Sequence, residues 1–199
     1  MLCYRMTHRV IRWYMVENEK QTIQTDDGQL LEIRPLESAD AYLLVDLFDH
    51  LSAESRYRRF NQTLVSPDPI LVATNALEMA NVRPEQGAAW LAFAQLAQAA
   101  PVPVAGVRYM FTAPQTAEFS VTVRDDFQGR GVGTALLAFA MQQAYAAGVR
   151  RAYAQVHYEN QALLAILRKL ALPVQRVREG AYLHLTVDLA PLDEALQPA

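Results

Sequence analysis

Glycine stands at 129, 131 and 133 within the stretch EFSVTVRDDFQGRGVGTALLAFAMQQA, Glu118 to Ala144. The chemistry such spacing permits is the gripping of an anion by bare backbone. The β-branched run Val121-Thr122-Val123 reads as strand, and apolar residues recur at helical spacing from Thr134. The glycines therefore occupy a strand-to-helix joint, where the amides of a helix N-terminus have no partner of their own. Three phosphate-binding patterns compete for this joint. A Walker loop requires lysine after its last glycine, and Gly133-Thr134-Ala135 has none. A dinucleotide fingerprint requires glycine at its first, third and sixth positions; counting from Gly129 puts Thr134 sixth, and counting from Gly131 puts Leu136 there. Glu159 could imitate the ribose-binding acid of that fingerprint, but three consecutive strands precede the joint where a βαβ unit is needed. The third pattern is Gln128-x-x-Gly131-x-Gly133.

The elements that must position this joint follow from periodicity. GQLLEIRPL alternates as a strand with Leu31 and Ile33 on one face, ended by Pro35. A helix follows from Ser38 as N-cap, burying Leu43, Leu44, Leu47, Phe48 and Leu51 and leaving Asp40, Asp46, Asp49 and His50 in water. SAESRYRRF restarts a short helix capped by Ser52, and SPDPILVATNALEMA forms a third, entered through Ser66 and Pro67. AAWLAFAQL, VAGVRYMFTA and AEFSVTV are three strands of a meander. After the glycines come a helix ended by Gly148, the strand RAYAQVHY, the helix NQALLAILRKLA, and two strands in VQRVREGAYLHLTVDL. The fold class is α/β, with a mixed, mainly antiparallel sheet flanked by helices in a single domain.

Bulk properties narrow the partners. The chain has 199 residues, 52% hydrophobic and 20% charged, which suits one domain with a full core. A net charge of −3 argues against nucleic acid, since phosphate-backbone binding needs a basic surface. Cys3 is the only cysteine, so neither a disulfide framework nor a cysteine-rich zinc site is expected, and the cytoplasm is the expected compartment. No run of 18 uncharged apolar residues suggests a membrane span. His8, His50, His157 and His184 lack metal-ligand spacing, so no metal is expected. Residues 1–27, with Arg5, Arg9 and Arg12, read as an N-terminal extension or as the product of a start upstream of Met15, and 191–199 as a C-terminal tail.

VRDDFQGRGVGTALL resembles the acetyl-CoA-binding segment of the GNAT N-acetyltransferase superfamily, whose strand order the derived order matches, and the likeness extends over most of Leu30 to Leu189. EIRPLESADAYLLVDLFDHLSAESRYRRF, AEFSVTVRDDFQGRGVG and YENQALLAILRKLAL are similar to the acetyltransferase domain of Pat-type protein lysine acetyltransferases, which gives a GNAT domain at 28–190. The resemblance implies acetyl-CoA as cosubstrate and an acceptor amine, a protein lysine, and a homodimer is compatible with it; charge and hydropathy, as above, leave no nucleic-acid or membrane partner expected. Gln128, Gly129, Gly131, Val132, Gly133 and Thr134 would hold the diphosphate mainly by backbone, with Arg130 adding a charge. Main-chain groups of Val121 and Val123 would pair with the pantetheine arm, the amide of Val123 also polarising the thioester carbonyl. Asn160 would contact CoA, and it is equally an ordinary N-cap. Glu118 matches the family's general base, but it shares a strand face with Ser120 and Thr122, away from Val121 and Val123, so the proton would travel through water.

Two departures stand out. Leu167 occupies the position where many members carry a tyrosine as general acid, and Ala171-Leu172 stands where Gly-Phe is common. The segment RYRRF, Arg56 to Phe60, reads either as a basic helix face or as part of the acceptor entrance. The synthetase-like or cyclic-nucleotide-binding domains of larger Pat-type proteins have no room in 199 residues. The expected reaction is acetyl transfer to an amine in a ternary complex. The competing expectations are a small amine as acceptor, and a weakly catalytic acyl-CoA sensor.

Overall fold

The computed structural model describes residues 21–96 and 100–192, and for 3–6, 9–12 and 14–15 the backbone course alone. Expectations that rest on His8, on the Cys3 side chain or on the tail from 193 onward lie outside the described residues. The strands are β1 (Cys3–Met6), β2 (Arg9–Arg12), β3 (Tyr14–Met15), β4 (Gln21–Gln24), β5 (Leu30–Pro35), β6 (Gly87–Ala94), β7 (Val102–Ala113), β8 (Thr116–Val123), β9 (Arg151–His157), β10 (Val174–Glu179) and β11 (Tyr182–Asp188). The helices are α1 (Ala41–Asp49), α2 (Ala53–Phe60), α3 (Pro69–Ala80), α4 (Val132–Ala146) and α5 (Gln161–Leu170), with short 3-10 turns at Ser38–Asp40 and Asp125–Phe127.

A nine-stranded sheet runs in the order β10-β11-β9-β8-β7-β6-β5-β4-β3. Its pairs are antiparallel except β8 with β9, which are parallel and are bridged by α4. Alternation along β6 shows how both faces are covered. Trp90, Ala92 and Ala94 join the main core with α4, whereas Leu91 and Phe93 join Leu47 of α1 in a second cluster. Helix α4 is apolar nearly all round, as its run from Ala135 to Met141 requires, because that whole run is buried.

Three expectations about helix caps and burial are corrected. Ser38 does not cap α1: its hydroxyl donates to Asn81 Oδ1 at 2.7 Å, and the helix proper begins after a 3-10 turn in which the Glu37 amide donates to Asp40 Oδ2 at 2.9 Å. Asp40 is not on the wet face; it is buried and receives both arms of Arg34, at 2.6 and 2.8 Å. That hydrogen bonding from Arg34 holds its carboxyl below the usual range, against the opposing effect of burial. Helix α3 is capped by Asp68, which accepts from the Ile70 amide at 2.8 Å with Pro69 in the first turn, so the cap lies beyond Ser66 and Pro67. Strand β4 pairs with β5, and Ile23 lies in the main core, so the sheet starts upstream of Gly28 and takes in the end of the segment read as an N-terminal extension.

Candidate active site

Strands β8 and β9 are held together over three register pairs, Thr116 with Arg151, Ala117 with Ala152 and Glu118 with Tyr153, and then part. On its other side β8 stays paired with β7 as far as Val123 opposite Ala105. The Arg124 amide donates to Val104 O at 2.9 Å. Since hydrogen-bonded pairs alternate along an antiparallel ladder, Thr122 and Ser120 also bond to β7. The amides and carbonyls of Val121 and Val123 therefore point the other way, into the gap left by β9. A cleft of about 400 Å³ fills this gap, within the size range of small-ligand sites.

The glycine joint closes one end of the cleft. Gly131 precedes the first turn of α4 with φ +82°, a left-handed conformation that side-chain-bearing residues avoid. A Cβ there would also fall 2.7 Å from the Asp26 carboxylate. At Gly133 a Cβ would meet Ile166 Cδ1 at 3.0 Å, so the glycine lets α5 approach α4. The first intrahelical hydrogen bond runs from the Ala135 amide to Gly131 O at 3.0 Å. The amides of Val132, Gly133 and Thr134 lie in the first turn, where no earlier helical carbonyl can accept them. Gln128 fixes the approach: its amide group donates to Val123 O at 3.1 Å and to Ser55 Oγ and Asp125 Oδ1, each at 3.0 Å. Asn160 accepts from the Leu163 amide at 3.1 Å, so it caps α5 while lining the cleft.

At the inner end, where the strands separate, Glu118 is exposed to the cleft on the same face as Ser120 and Thr122. Arg59 reaches this face from α2, its Nε donating to Thr122 Oγ1 at 2.9 Å and its Nη2 to Ser120 Oγ at 3.1 Å. Burial, reinforced by the charge of Arg108, pushes Arg59 down to about 10. On the neighbouring strand the Tyr153 hydroxyl lies 2.7 Å from His184 Nδ1, and His184 Nε2 lies 3.1 Å from Glu179 Oε2. Burial and the nearby Glu118 and Glu179 raise Tyr153 above the ordinary tyrosine value.

A cleft opened by two parting strands, with bare amides at one end and a carboxylate at the other, is what an acyl-CoA and an amine would need. The sequence model of the "Acetyltransferase (GNAT) domain" family matches residues 31–172. The chain belongs to the GNAT acetyltransferase family. It is 29% identical over 175 residues to Acetyltransferase Pat of Mycolicibacterium smegmatis, covering 86% of this chain and 49% of that protein. The chain thus spans about half the length of this curated relative. Its fold is that of the GNAT domain of PAT from S. lividans, with a TM-score of 0.73, 24% identity, and coverage of 88% of this chain and 99% of the other. It is also that of yncA from Salmonella typhimurium, solved with its cofactor acetyl-CoA, with a TM-score of 0.58, 20% identity, and coverage of 85% and 98%.

On this GNAT scaffold, Glu118, Val121, Val123, Gln128, Gly129, Gly131, Val132, Gly133, Thr134 and Asn160 line one cleft. Arg130 does not. Its guanidinium turns to the β4–β5 hairpin, donating to Asp27 Oδ2 at 2.8 Å and Gln29 Oε1 at 2.5 Å, and stacks over Phe127. Leu167 is buried and lines the cleft, so no hydroxyl is offered from that position. Asp26, Arg108 and Tyr153 are not singled out by the sequence pattern, and His184 is weighed there only as a metal ligand. Asp26 and Arg108 are brought to their places by contacts distant in sequence, which no local pattern announces. Of RYRRF, Arg59 alone reaches the Ser120–Thr122 face; Arg58 pairs with Glu54, and Arg56 stacks over Phe48 while donating to its carbonyl.

Proposed function

We propose that this chain transfers an acetyl group from acetyl-CoA to the ε-amine of a protein lysine, in the cytoplasm, by direct attack in a ternary complex. The observation that carries the reading is the parting of β8 from β9 just beyond Glu118, which leaves the main-chain groups of Val121 and Val123 facing a cleft that ends in the glycine joint. Acetyl-CoA, when bound, supplies a thioester whose carbonyl carbon is open to an amine. The amides of the joint, at the positive end of α4, hold the diphosphate. The main chain of Val121 and Val123 extends the pantetheine as an added strand, and the Val123 amide stabilises the negative charge that develops on the thioester oxygen.

A lysine amine, with a pKa near 10.4 in water, must lose a proton before or during attack. Glu118 takes it through a water, because its side chain is on the opposite face of β8 from Val121 and Val123. The nitrogen forms the amide bond as the carbon–sulfur bond breaks, and the thiolate is protonated by solvent, Leu167 having no proton to give. The lysine acceptor rests on the Pat-like phrases and on the Pat relative, of which this chain covers about half. A second reading, an acyl-CoA sensor of low turnover, is favoured by the leucine at 167. The deciding experiment is thiol release with acetyl-CoA against lysyl peptides and against polyamines. Turnover with peptides supports the proposal, turnover with polyamines alone moves the acceptor to small amines, and stabilisation by acetyl-CoA without thiol release selects the sensor.

A further inference from the structure

Next to the cleft lies a second cavity of about 460 Å³, between α1, α3 and the faces of β6 to β8. Leu51, Arg59, Ser120 and Thr122 line both cavities, so the two share a wall. Most of the chamber is apolar, with Leu47, Phe48, Leu71, Met79 and Trp90 among its walls, yet Arg59 and Arg108 also line it. The partners of Arg59 are neutral hydroxyls, Ser120 and Thr122. The guanidinium of Arg108, the register partner of Ser120 on β7, makes no hydrogen bond among the described residues. Neither guanidinium is ion-paired among the described residues. Glu118 attracts both from a distance, while burial works against both charges and Arg108 works against that of Arg59.

Two adjacent, half-buried cations with no carboxylate in ion-pair contact among the described residues, only the more distant Glu118, gain when an anion enters between them. The planar fork of arginine suits a carboxylate, and the apolar walls suit a short aliphatic stem. We propose that Arg59 and Arg108 form a carboxylate-binding subsite, so that one of the two substrates carries an acid group into this chamber. This deepens the acyl-transfer reading and rests on it. The acid could arrive on the acyl chain, as in a dicarboxylic monothioester, or on the acceptor, as a glutamate beside the lysine.

The test measures kcat/KM by thiol release in two arms. One arm compares succinyl-CoA with butyryl-CoA on a single lysyl peptide; the other compares a Glu-Lys peptide with its Gln-Lys twin using acetyl-CoA. The expected result is an advantage of about tenfold or more for the acidic member in one arm, which identifies the source, shrinking toward parity in Arg108→Met. Arg108→Met breaks no hydrogen bond among the described residues, whereas Arg59→Lys, which keeps a charge but loses the fork, should lower the ratio only partly. Parity in both arms, or an advantage undiminished in Arg108→Met, overturns the subsite. If acetyl-CoA still turns over with the neutral peptide, only the subsite falls; if folded protein transfers nothing from any of these thioesters, the acyl-transfer reading falls with it.

Discussion

Glu118 and Tyr153 are the last register partners of the parallel strands β8 and β9, and the site is built on what happens immediately after them. Up to this pair the sheet is continuous; beyond it the backbone of β8 loses its neighbour on one side. The carboxylate at the fork therefore stands where an acceptor amine would meet a thioester extended along β8. Replacing Glu118 by Gln keeps the shape and removes the carboxylate proposed as the base. Turnover should fall at least about tenfold, with acetyl-CoA affinity little changed. Steady-state kinetics paired with calorimetry would check this, and unchanged turnover would take Glu118 out of the mechanism.

The carboxylate of Asp26 lies against Gly131, and its backbone amide donates to Arg130 O at 2.8 Å. A negative charge is thus held beside the joint assigned to the diphosphate. Its ion pair with Lys169, at 3.7 Å between two half-exposed groups, contributes little to stability. Asp26→Asn should tighten acetyl-CoA several-fold, roughly 1 kcal/mol, and the gain should shrink as salt screens the repulsion. Calorimetric titration at low and high ionic strength reads both effects. Weaker binding in the variant would mean that Asp26 supports the loop and does not oppose the ligand.

Ala171 ends α5 with φ +54°, a left-handed conformation in which a Cβ is strained. Glycine at this position removes the strain. Ala171→Gly should stabilise the fold by about 1 kcal/mol and raise Tm by roughly 2–4 °C. No gain in thermal or urea unfolding would indicate that the methyl group is held by packing worth as much as the strain costs.

The bidentate pair of Arg34 and buried Asp40 ties β5 to the turn that starts α1. Because the folded protein holds the Asp40 carboxyl below its unfolded value, the pair's stabilisation is complete above the unfolded pKa, near 4, and is lost as pH falls through the lower folded value. Asp40→Asn should cost about 1–2 kcal/mol at neutral pH and flatten the acid limb of the stability profile. Urea unfolding from neutral pH down through pH 4 would show it; parallel profiles for the two proteins would contradict the assignment.

The parts of this fold legible in the sequence are those set by short-range rules. The glycines declare a strand-to-helix joint, which the structure builds with a left-handed Gly131 before α4 and a close approach of α5 at Gly133, and the β-branched run of β8 declares the strand before it. Ser52 and Asn160 cap α2 and α5 as their local patterns predict. Asp40 escaped because helical periodicity counted from Ser38 ignores the 3-10 turn and the arginine six residues upstream that pays for its burial. Arg130 sat in the right loop but found Asp27 and Gln29 across a hairpin about a hundred residues away. The chamber of Arg59 and Arg108 forms only when α2 is laid across β7 and β8, so no single stretch of sequence could announce it.

The proposed reaction depends on main-chain amides around Gly131 holding the diphosphate of acetyl-CoA. Calorimetric titration of acetyl-CoA into the folded protein and into Gly131→Ala tests it most directly. Binding to the parent protein should saturate well below about 1 mM and weaken at least about tenfold in the variant, whose fold is checked by circular dichroism. Absence of saturation with the folded parent protein, or equal affinity in a folded Gly131→Ala, would contradict it.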